Sequence, residues 1–561
     1  MPRHDPVQVL VVGAGPAGLT AAHELARRGV RVRLVDAAAG PDPGSRAVSV
    51  HPRTLELFDQ MGVVGPLLEH GREIRSFTVH AAGHRLLRLD AGHATAAAPA
   101  LFPYPLVIGQ AHTEALLRAA VRRLGVRIEW GVRLTGLAQD EDEDEAGVRA
   151  HLTHPDGRAE TLTVPWLIGC DGRHSTVRKR LQLPLTGESA ETWELADAPV
   201  EYVGDSDSDG GDGRGGGDSD GDSSDGAGAR GLPRDTVSWV YSGSRVLVLV
   251  PYAREGHWRL LSPAPAPGAD ADPRPVAERF AAHLSAGLGR AVRVGTPEWT
   301  AVFAFRQRMV SRMREGRCFL AGDAAHVHSP LSGQGMNTGI QEAFNLAWKL
   351  AAVVAGRADP ALLDTYEEER LPLGRAMLDA TGSKGVSLLR LALPVDLPLG
   401  ACRNPPDGSY PDSSLSTGAH AAGLPAGSRA ATAAARHPGD PGTAALRAEL
   451  REVRWSLLYV PEGTGEALAT AADAARRHAA WLSVRTVGAA LPPTCPGPLP
   501  DPAGRLRDAL GLPAGGWLLI RPDGHVSGGG AELTESSLTA ALAPLHLIPP
   551  PSRGVDARVC A

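Results

Sequence analysis

Apolar positions run without interruption along residues 7–13 (VQVLVVG). They recur at helical spacing along 16–29 (PAGLTAAHELARRG) and return to a strand pattern along 30–36 (VRVRLVD). This order predicts a βαβ unit at the start of the chain. Helices are predicted over 53–62 and 113–125, and strands over 126–134 (VRIEWGVRL), 148–154 and 161–170 (TLTVPWLIGC). The last strand leads into a turn and a short basic helix, 171–181 (DGRHSTVRKRL). Strand-like runs at 236–242 (TVSWVYS), 245–252, 257–263 and 298–305 suggest a second sheet, in which Trp239 and Tyr241 occupy alternate positions.

A long charged helix is predicted over 364–389, after which the composition shifts near 400 to Pro, Gly and Ser and marks a domain boundary. The tail then reads as strand 454–460, helix 466–481, strand 481–487, a hairpin around 516–527 and a last helix near 533–546. That order suits a thioredoxin-like sandwich. It carries no C-x-x-C, so a structural or interface role is expected in place of thiol chemistry.

Residues 205–229 (DSDSDGGDGRGGGDSDGDSSDGAGA) hold nothing that could enter a core and predict a solvated loop. Within them GDSDG matches G-x-S-x-G, but no strand precedes it and no helix follows, as a nucleophile elbow requires. DSDSDG opens like a calcium-binding loop, yet Gly216 stands where the bidentate Glu belongs. Neither a serine hydrolase nor a calcium site is expected.

Composition changes this picture little. The 561 residues suffice for two or three domains, and the formal net charge of −6 is concentrated in two acidic runs, 140–145 and 205–225, which hold fourteen acids and one Arg. The remainder is mildly positive, so net charge indicates no partner, and neither nucleic acid nor membrane is expected. Cys170, Cys318, Cys402, Cys495 and Cys560 are scattered and odd in number, which suggests a reducing compartment. No signal-like start and no run of about twenty apolar residues occurs, so a cytoplasmic, soluble monomer or homodimer is expected.

Two stretches carry chemistry. GAGPAG places Gly13, Gly15, Pro16, Ala17 and Gly18 between a strand and a helix, with Asp36 at the end of the next strand. The glycines permit a tight turn, approach of the backbone to a pyrophosphate and close helix packing, while the carboxylate can accept hydrogen bonds from a ribose. An acid at 36 disfavours a 2′-phosphate, leaving NAD or FAD. Residues 319–350 (FLAGDAAHVHSPLSGQGMNTGIQEAFNLAWKL) then join an acid, a Gly-rich bend and a helix start near Met336. Taken alone, Asp323, His326 and His328 could form a metal cluster, and the helix start could bind an anion or an electron-rich ring edge.

Together with Asp171 and Gly172, these motifs occur in the order found in the class A FAD-dependent aromatic hydroxylases, which share the para-hydroxybenzoate hydroxylase fold. The chain resembles that family over roughly residues 7–390. The resemblance implies an α/β architecture: a Rossmann-like FAD-binding domain in two parts (1–185 and 301–398), an inserted β-sheet substrate domain (186–300, joined by 76–105) and a thioredoxin-like C-terminal domain (399–561). It implies that Gly322 and Asp323 meet the ribityl chain of FAD, and that Pro330, Gly333, Gln334, Gly335, Met336 and Asn337 lie against the flavin ring, where helix-start N–H groups stabilise charge on the pyrimidine side.

It further implies that Arg46 contacts the flavin, that Gln110 lies near the ribityl and phosphate region, that the backbone of Leu134 meets the adenine, and that Asp171 serves both FAD and NAD(P)H. A surface Arg46, a helix-capping Gln110 or Asp171 and a plain core Leu134 remain open alternatives. With Asp323 engaged by the ribityl chain, no metal is expected.

The family implies that NADPH or NADH acts as transient reductant, that O2 is co-substrate, and that a flavin C4a-hydroperoxide inserts one oxygen into an electron-rich ring. No catalytic side chain is assigned. The stretches SYPDSSLS and IRPDGHVS are similar to those of a subgroup with a thioredoxin-like third domain that acts on phenols and aromatic polyketides, although HVS here lacks the Trp-Arg that often follows. A bulky polyphenolic or polyketide substrate is therefore expected. The rivals are a Baeyer–Villiger oxygenase, an antibiotic-inactivating hydroxylase and a flavin-binding assembly protein without turnover.

Overall fold

The predicted βαβ unit forms the centre of a six-stranded sheet. Val9–Val12, buried throughout, pairs in parallel with Val32–Asp36 on one side and Trp166–Gly169 on the other. Ile128–Trp130 and Cys318–Leu320 extend the sheet in parallel, and Arg314–Glu315 closes one edge antiparallel. Central parallel strands are covered on both faces, which is why the sequence there is apolar without alternation. Helix Pro16–Ala26 packs against Gln334–Val354 and Gln110–Arg123. This computed structural model describes residues 6–548 apart from 43, 45, 46, 93–98, 140–146, 204–230, 265–274, 328–332, 382–407, 418–422, 463–464 and 489–496. Both acidic runs and the GDSDG and DSDSDG matches thus lie outside the described residues, as do His328, Cys402, Cys495 and Cys560.

The run 126–134 is not one strand. Gly131, at φ +74°, turns the chain, so Ile128–Trp130 stays in the six-stranded sheet while Arg133–Gln139 joins Val148–Thr153 and Ala159–Val164 in a separate three-stranded sheet.

The second sheet has nine strands. Its spine is the 17-residue strand Thr186–Tyr202, which apolar patterning did not reveal; it pairs antiparallel with His257–Pro263, Val292–Val294 and Trp299–Met309. The last strand runs nine residues past the boundary expected at 300. Ser76–Ala81 joins through parallel pairing with Thr236–Ser242. One face carries Ala196, Val240, Leu249 and Leu260 and is covered by Phe280 and Leu284 of helix Val276–Leu288. The other carries Trp193, Leu195, Trp239, Tyr241, Val248 and Leu261. Trp239 and Tyr241 are both buried there.

In the tail, a four-stranded sheet runs Leu482–Thr486, Trp455–Tyr459, Trp517–Ile520, Val526–Gly530, with the first pair parallel and the others antiparallel. Helix Glu466–Arg477 packs on one face and helices Pro441–Leu450 and Arg505–Leu510 on the other. The first face also receives Trp348 from helix Gln334–Val354, edge-on to Trp455 at 5.7 Å between ring centroids. The long charged helix is observed as Asp364–Thr381 and continues through Pro372. Among the described residues no helix is long and apolar enough to cross a membrane.

Candidate functional site

The three glycines of GAGPAG differ in what surrounds them. A Cβ on Gly13, whose φ is +103°, would lie 2.2 Å from the Cys170 carbonyl oxygen, and one on Gly18 would lie 1.9 Å from the Gly13 oxygen. Both are glycine because backbone packs on backbone. A Cβ on Gly15 would meet no protein atom within 4 Å. Gly15 is also the N-cap of helix Pro16–Ala26 and supplies no side-chain acceptor, so the first N–H groups of that helix are uncapped by any side chain. Asp36 braces the turn, accepting from Ala14 N at 2.7 Å and from Ala38 N at 2.8 Å.

A second helix start is built alongside. After strand Cys318–Leu320 the chain makes a tight turn, Gly322–Ala324, in which Gly322 has φ +63°. A Cβ on Gly339 would fall 2.9 Å from the Gly322 Cα and 3.4 Å from the Ala17 Cβ, so three small residues let helix Gln334–Val354 close on the turn and on the first helix. Wholly buried Glu342 fastens this junction: one carboxylate oxygen accepts Gly322 N–H at 2.9 Å, and the other lies 2.6 Å from His326 Nε2. His326 is therefore held inside the protein, while Asp323 projects outward from an otherwise buried turn. Helix Gln334–Val354 starts after Gly333 in a left-handed conformation, again with no side-chain cap. Asn337 fixes that start, accepting His51 N–H and donating to Ser49 O and Gly333 O at 2.7–2.9 Å.

Both uncapped starts open on one cavity of about 890 Å3. Of the residues predicted to bind the cofactor, Gly15, Pro16, Ala17, Gln110, Gly322, Asp323, Gly333, Gln334, Gly335 and Met336 line it. Gly13, Gly18, Asp36 and Asn337 stand behind this lining as packing or bracing groups. Leu134 is buried in the core and pairs with Leu152, away from the lining. Asp171 caps the helix Thr176–Arg180, accepting Thr176 N at 2.6 Å, Val177 N at 3.2 Å and the Ser175 hydroxyl at 2.5 Å. Burial pushes its pKa up against these donors. Gln110 also ties the neighbouring loop, accepting Ala47 N–H at 3.1 Å and donating to Glu114 at 2.9 Å. Arg46 and Pro330 lie outside the described residues.

Sequence reasoning missed several groups. Glu342 and Gly339 hold the Gly322–Ala324 turn; the pair Gly335 and Gly339, four apart on one helix, was the available signal. Arg173, His174 and Lys179 form an exposed basic rim on the cavity. Arg178 lies buried beneath it and donates to Ala324 O at 3.1 Å. From the nine-stranded sheet come Arg259, Leu261 and Arg308. Arg259 is fully buried, with two nitrogens each 2.7 Å from Asp197 and its guanidinium 4.9 Å from the Trp299 ring centre. Nothing local in the sequence marks Arg259 or Arg308, because their place depends on how distant strands pair.

These features fit a bound dinucleotide flavin. Two helix starts offer N–H donors, Gly15 and Gly335 leave space where a side chain would intrude, and Asp323 is the one carboxylate among the described lining residues.

Residues 6–381 match the family described as FAD binding domain. The 6-methylpretetramide 4-monooxygenase of Streptomyces rimosus is 43% identical over 574 residues, covering 98% of this chain and 95% of that protein. The anhydrotetracycline hydroxylase of Streptomyces rimosus superposes with a TM-score of 0.63 at 26% identity, over 97% of this chain and 99% of its own. Aklavinone-11 hydroxylase, in a ternary complex with FAD and aklavinone, shares the fold with a TM-score of 0.72 at 24% identity, over the same 97% and 99%. The chain belongs to the FAD binding domain family, among the class A FAD-dependent aromatic hydroxylases, and is a monooxygenase that uses FAD, O2 and NAD(P)H.

Proposed function

We propose that this enzyme hydroxylates a ring of a polycyclic aromatic polyketide in the cytoplasm. The observation that carries the reading is that a single cavity runs from two uncapped helix starts and Asp323 to Leu261 on the aromatic-rich face of the nine-stranded sheet. Leu261 offers a ring system an apolar contact there, beside the guanidinium groups of Arg259 and Arg308 that share the lining. The 43% identity to a protein named for 6-methylpretetramide, along almost the whole length of both chains, supports the polyketide class.

In this reading bound FAD supplies the activation of O2, and the protein's own groups position and shield. Gly15 and the first turn of Pro16–Ala26 take the pyrophosphate, with Asp36 at the ribose. Gly322 and Asp323 hold the ribityl chain together with Gln110, and the N–H groups at Gly335–Asn337 face the pyrimidine edge. Arg46 and Pro330 are assigned to the flavin ring by the same reading. Asp171 acts through the turn it caps. The exposed Arg173, His174 and Lys179 draw the anionic NAD(P)H to the rim.

The substrate unit consists of Ser76–Ala81 with its neighbours and residues from 186 to about 309. The strand order and directions of the C-terminal sheet support a thioredoxin-like unit over 399–561 that serves in assembly, its sequence carrying no C-x-x-C for thiol chemistry.

The test is an absorption spectrum of the purified protein, then NADH and NADPH oxidation with polycyclic phenols under 18O2. A yellow protein, phenol-stimulated oxidation and one labelled ring hydroxyl are expected. Colourless protein that refuses added FAD, or a labelled lactone, overturns the reading.

A further inference from the structure

Hydroxylation of a phenolic ring is easier when its oxygen is ionised, because the anion pushes electron density into the ring. The described lining residues of the cavity offer no evident base for that proton. Among them the titratable and charged side chains are Cys170, Arg173, His174, Arg178, Lys179, Arg259, Arg308 and Asp323, and burial pushes the Cys170 thiol up, away from service as a base. His174 and Lys179 are exposed on the rim, and Asp323 belongs to the turn below the cofactor-binding helix starts. Arg259 has its charge matched by Asp197.

Arg308 differs from the others. Its side chain makes no hydrogen bond or ion pair among the described residues, and its Nε is buried without a partner. It sits at the end of strand Trp299–Met309, in register with Val327, which also lines the cavity and follows the turn that carries Asp323. Arg308 thus lies where the substrate sheet joins the cofactor-holding turn. A half-buried guanidinium whose Nε is shut off without a partner, and whose charge no carboxylate among the described residues matches, calls for an anion.

We propose that Arg308 contacts the substrate and holds one of its ring hydroxyls as the anion, an inference that rests on the hydroxylase reading above. The hydroxyl proton leaves to bulk water as the substrate binds, so no side-chain base is needed. A cation within about 4–6 Å favours the ionised form by roughly 1–3 pH units.

The test uses the holoenzyme with alizarin, a dihydroxyanthraquinone whose ionisation changes its colour. Visible spectra of the bound dye are titrated against pH for wild type, Arg308→Gln and Arg308→Lys. Wild type is expected to lower the first ionisation by at least one unit relative to the dye in solution. Arg308→Gln should abolish most of that drop and Arg308→Lys keep part of it, with FAD content unchanged and the KM for NADPH altered less than twofold. Equal ionisation in wild type and Arg308→Gln overturns the proposal. So does a tenfold rise in the KM for NADPH with ionisation intact, which would assign Arg308 to the reductant. Alizarin that stimulates NADPH oxidation without an ionisation shift sinks this inference alone; a holoenzyme that binds no alizarin counts against this inference and the substrate reading together.

Discussion

Glu369 and Arg521, 152 positions apart in the chain, form a wholly buried two-pronged ion pair, with Nη1 2.5 Å from Oε1 and Nη2 3.0 Å from Oε2. Lys349 Nζ reaches the same carboxylate at 2.7 Å, Asn345 donates to it at 2.7 Å, and the Ser413 hydroxyl does so at 2.6 Å. On its other side Arg521 meets Asp523, which also accepts the Trp348 indole N–H at 3.1 Å. Helices Gln334–Val354 and Asp364–Thr381 are thereby tied to the tail hairpin through charges buried from the surface. Burial pushes Lys349 down to about 8, against the pull of Glu369.

Removing one member of this group is costly. Arg521→Met leaves Glu369 and Asp523 buried with one fewer cation between them, and an uncompensated buried charge costs about 3–5 kcal/mol. Denaturant unfolding should show a loss of that size. A loss below about 1 kcal/mol would mean that packing around Trp348 and Trp455 holds the tail by itself.

Acid should act on the same network. Burial raises the pKa of Glu369, but the charges of Arg521 and Lys349 outweigh it and hold the carboxyl well below the ordinary glutamate value of 4.5; Asp523 is lowered in the same way, chiefly by Arg521 against burial. Because the folded values lie below the unfolded ones, the unfolded chain binds more protons in acid. The stabilisation is complete above about pH 4.5 and is lost as pH falls below it. Melting curves from pH 7 down to pH 3 should steepen their decline below 4.5. Glu369→Gln should start lower and decline less steeply, and an unchanged acid slope in that variant would refute the assignment.

This network also shows where sequence reading stops. The βαβ unit, the Gly322–Asp323 turn and the tail strands were legible because periodicity and glycine spacing are local. The hairpin IRPDGHVS was singled out, yet nothing near Arg521 says that its partner is Glu369. The strand Thr186–Tyr202 escaped because both of its faces are covered, Trp193 and Leu195 packing on one side and the small Ala196 and Ala198 on the other, so charged Glu194 and Asp197 interrupt the apolar run without a clean alternation, and the stretch begins with small and charged residues. Gly131 broke an apparently continuous strand because a left-handed glycine turns the chain without interrupting the apolar count. Asp171 and Leu134 show that a motif position can also carry a structural duty: the Asp171 carboxylate caps a helix and the Leu134 side chain packs in the core, which leaves the role expected of the Leu134 backbone untouched.

The two glycines of the first turn should separate stability from cofactor binding. Gly15 has φ −75°, which any residue adopts, and open space beyond its Cα, so Gly15→Ala should fold with unchanged melting of the apoprotein and lose FAD. In Gly18→Ala the methyl would sit 1.9 Å from the Gly13 oxygen. The helix must shift, at a cost of about 1–3 kcal/mol or more. Flavin content beside apoprotein melting distinguishes the two, and equal destabilisation by both would contradict the assigned geometry.

Asp323 and Glu342 should also part. Asp323 is exposed to the cavity, whereas Glu342 is fully buried and bonds Gly322 N–H and His326. Asp323→Asn keeps the shape but removes a charged acceptor, and hydrogen bonds to charged groups contribute about 1.5–3 kcal/mol. FAD should therefore bind roughly 10- to 150-fold more weakly, with apoprotein melting little changed. Glu342→Gln keeps one acceptor oxygen for two demands, so it should lower the melting temperature of the apoprotein first and FAD affinity only as the turn loosens. Fluorescence titration of FAD alongside thermal unfolding reads both. If Asp323→Asn binds FAD as tightly as wild type, the carboxylate does not hold the ribityl chain, and cofactor affinity resides in the two helix starts alone.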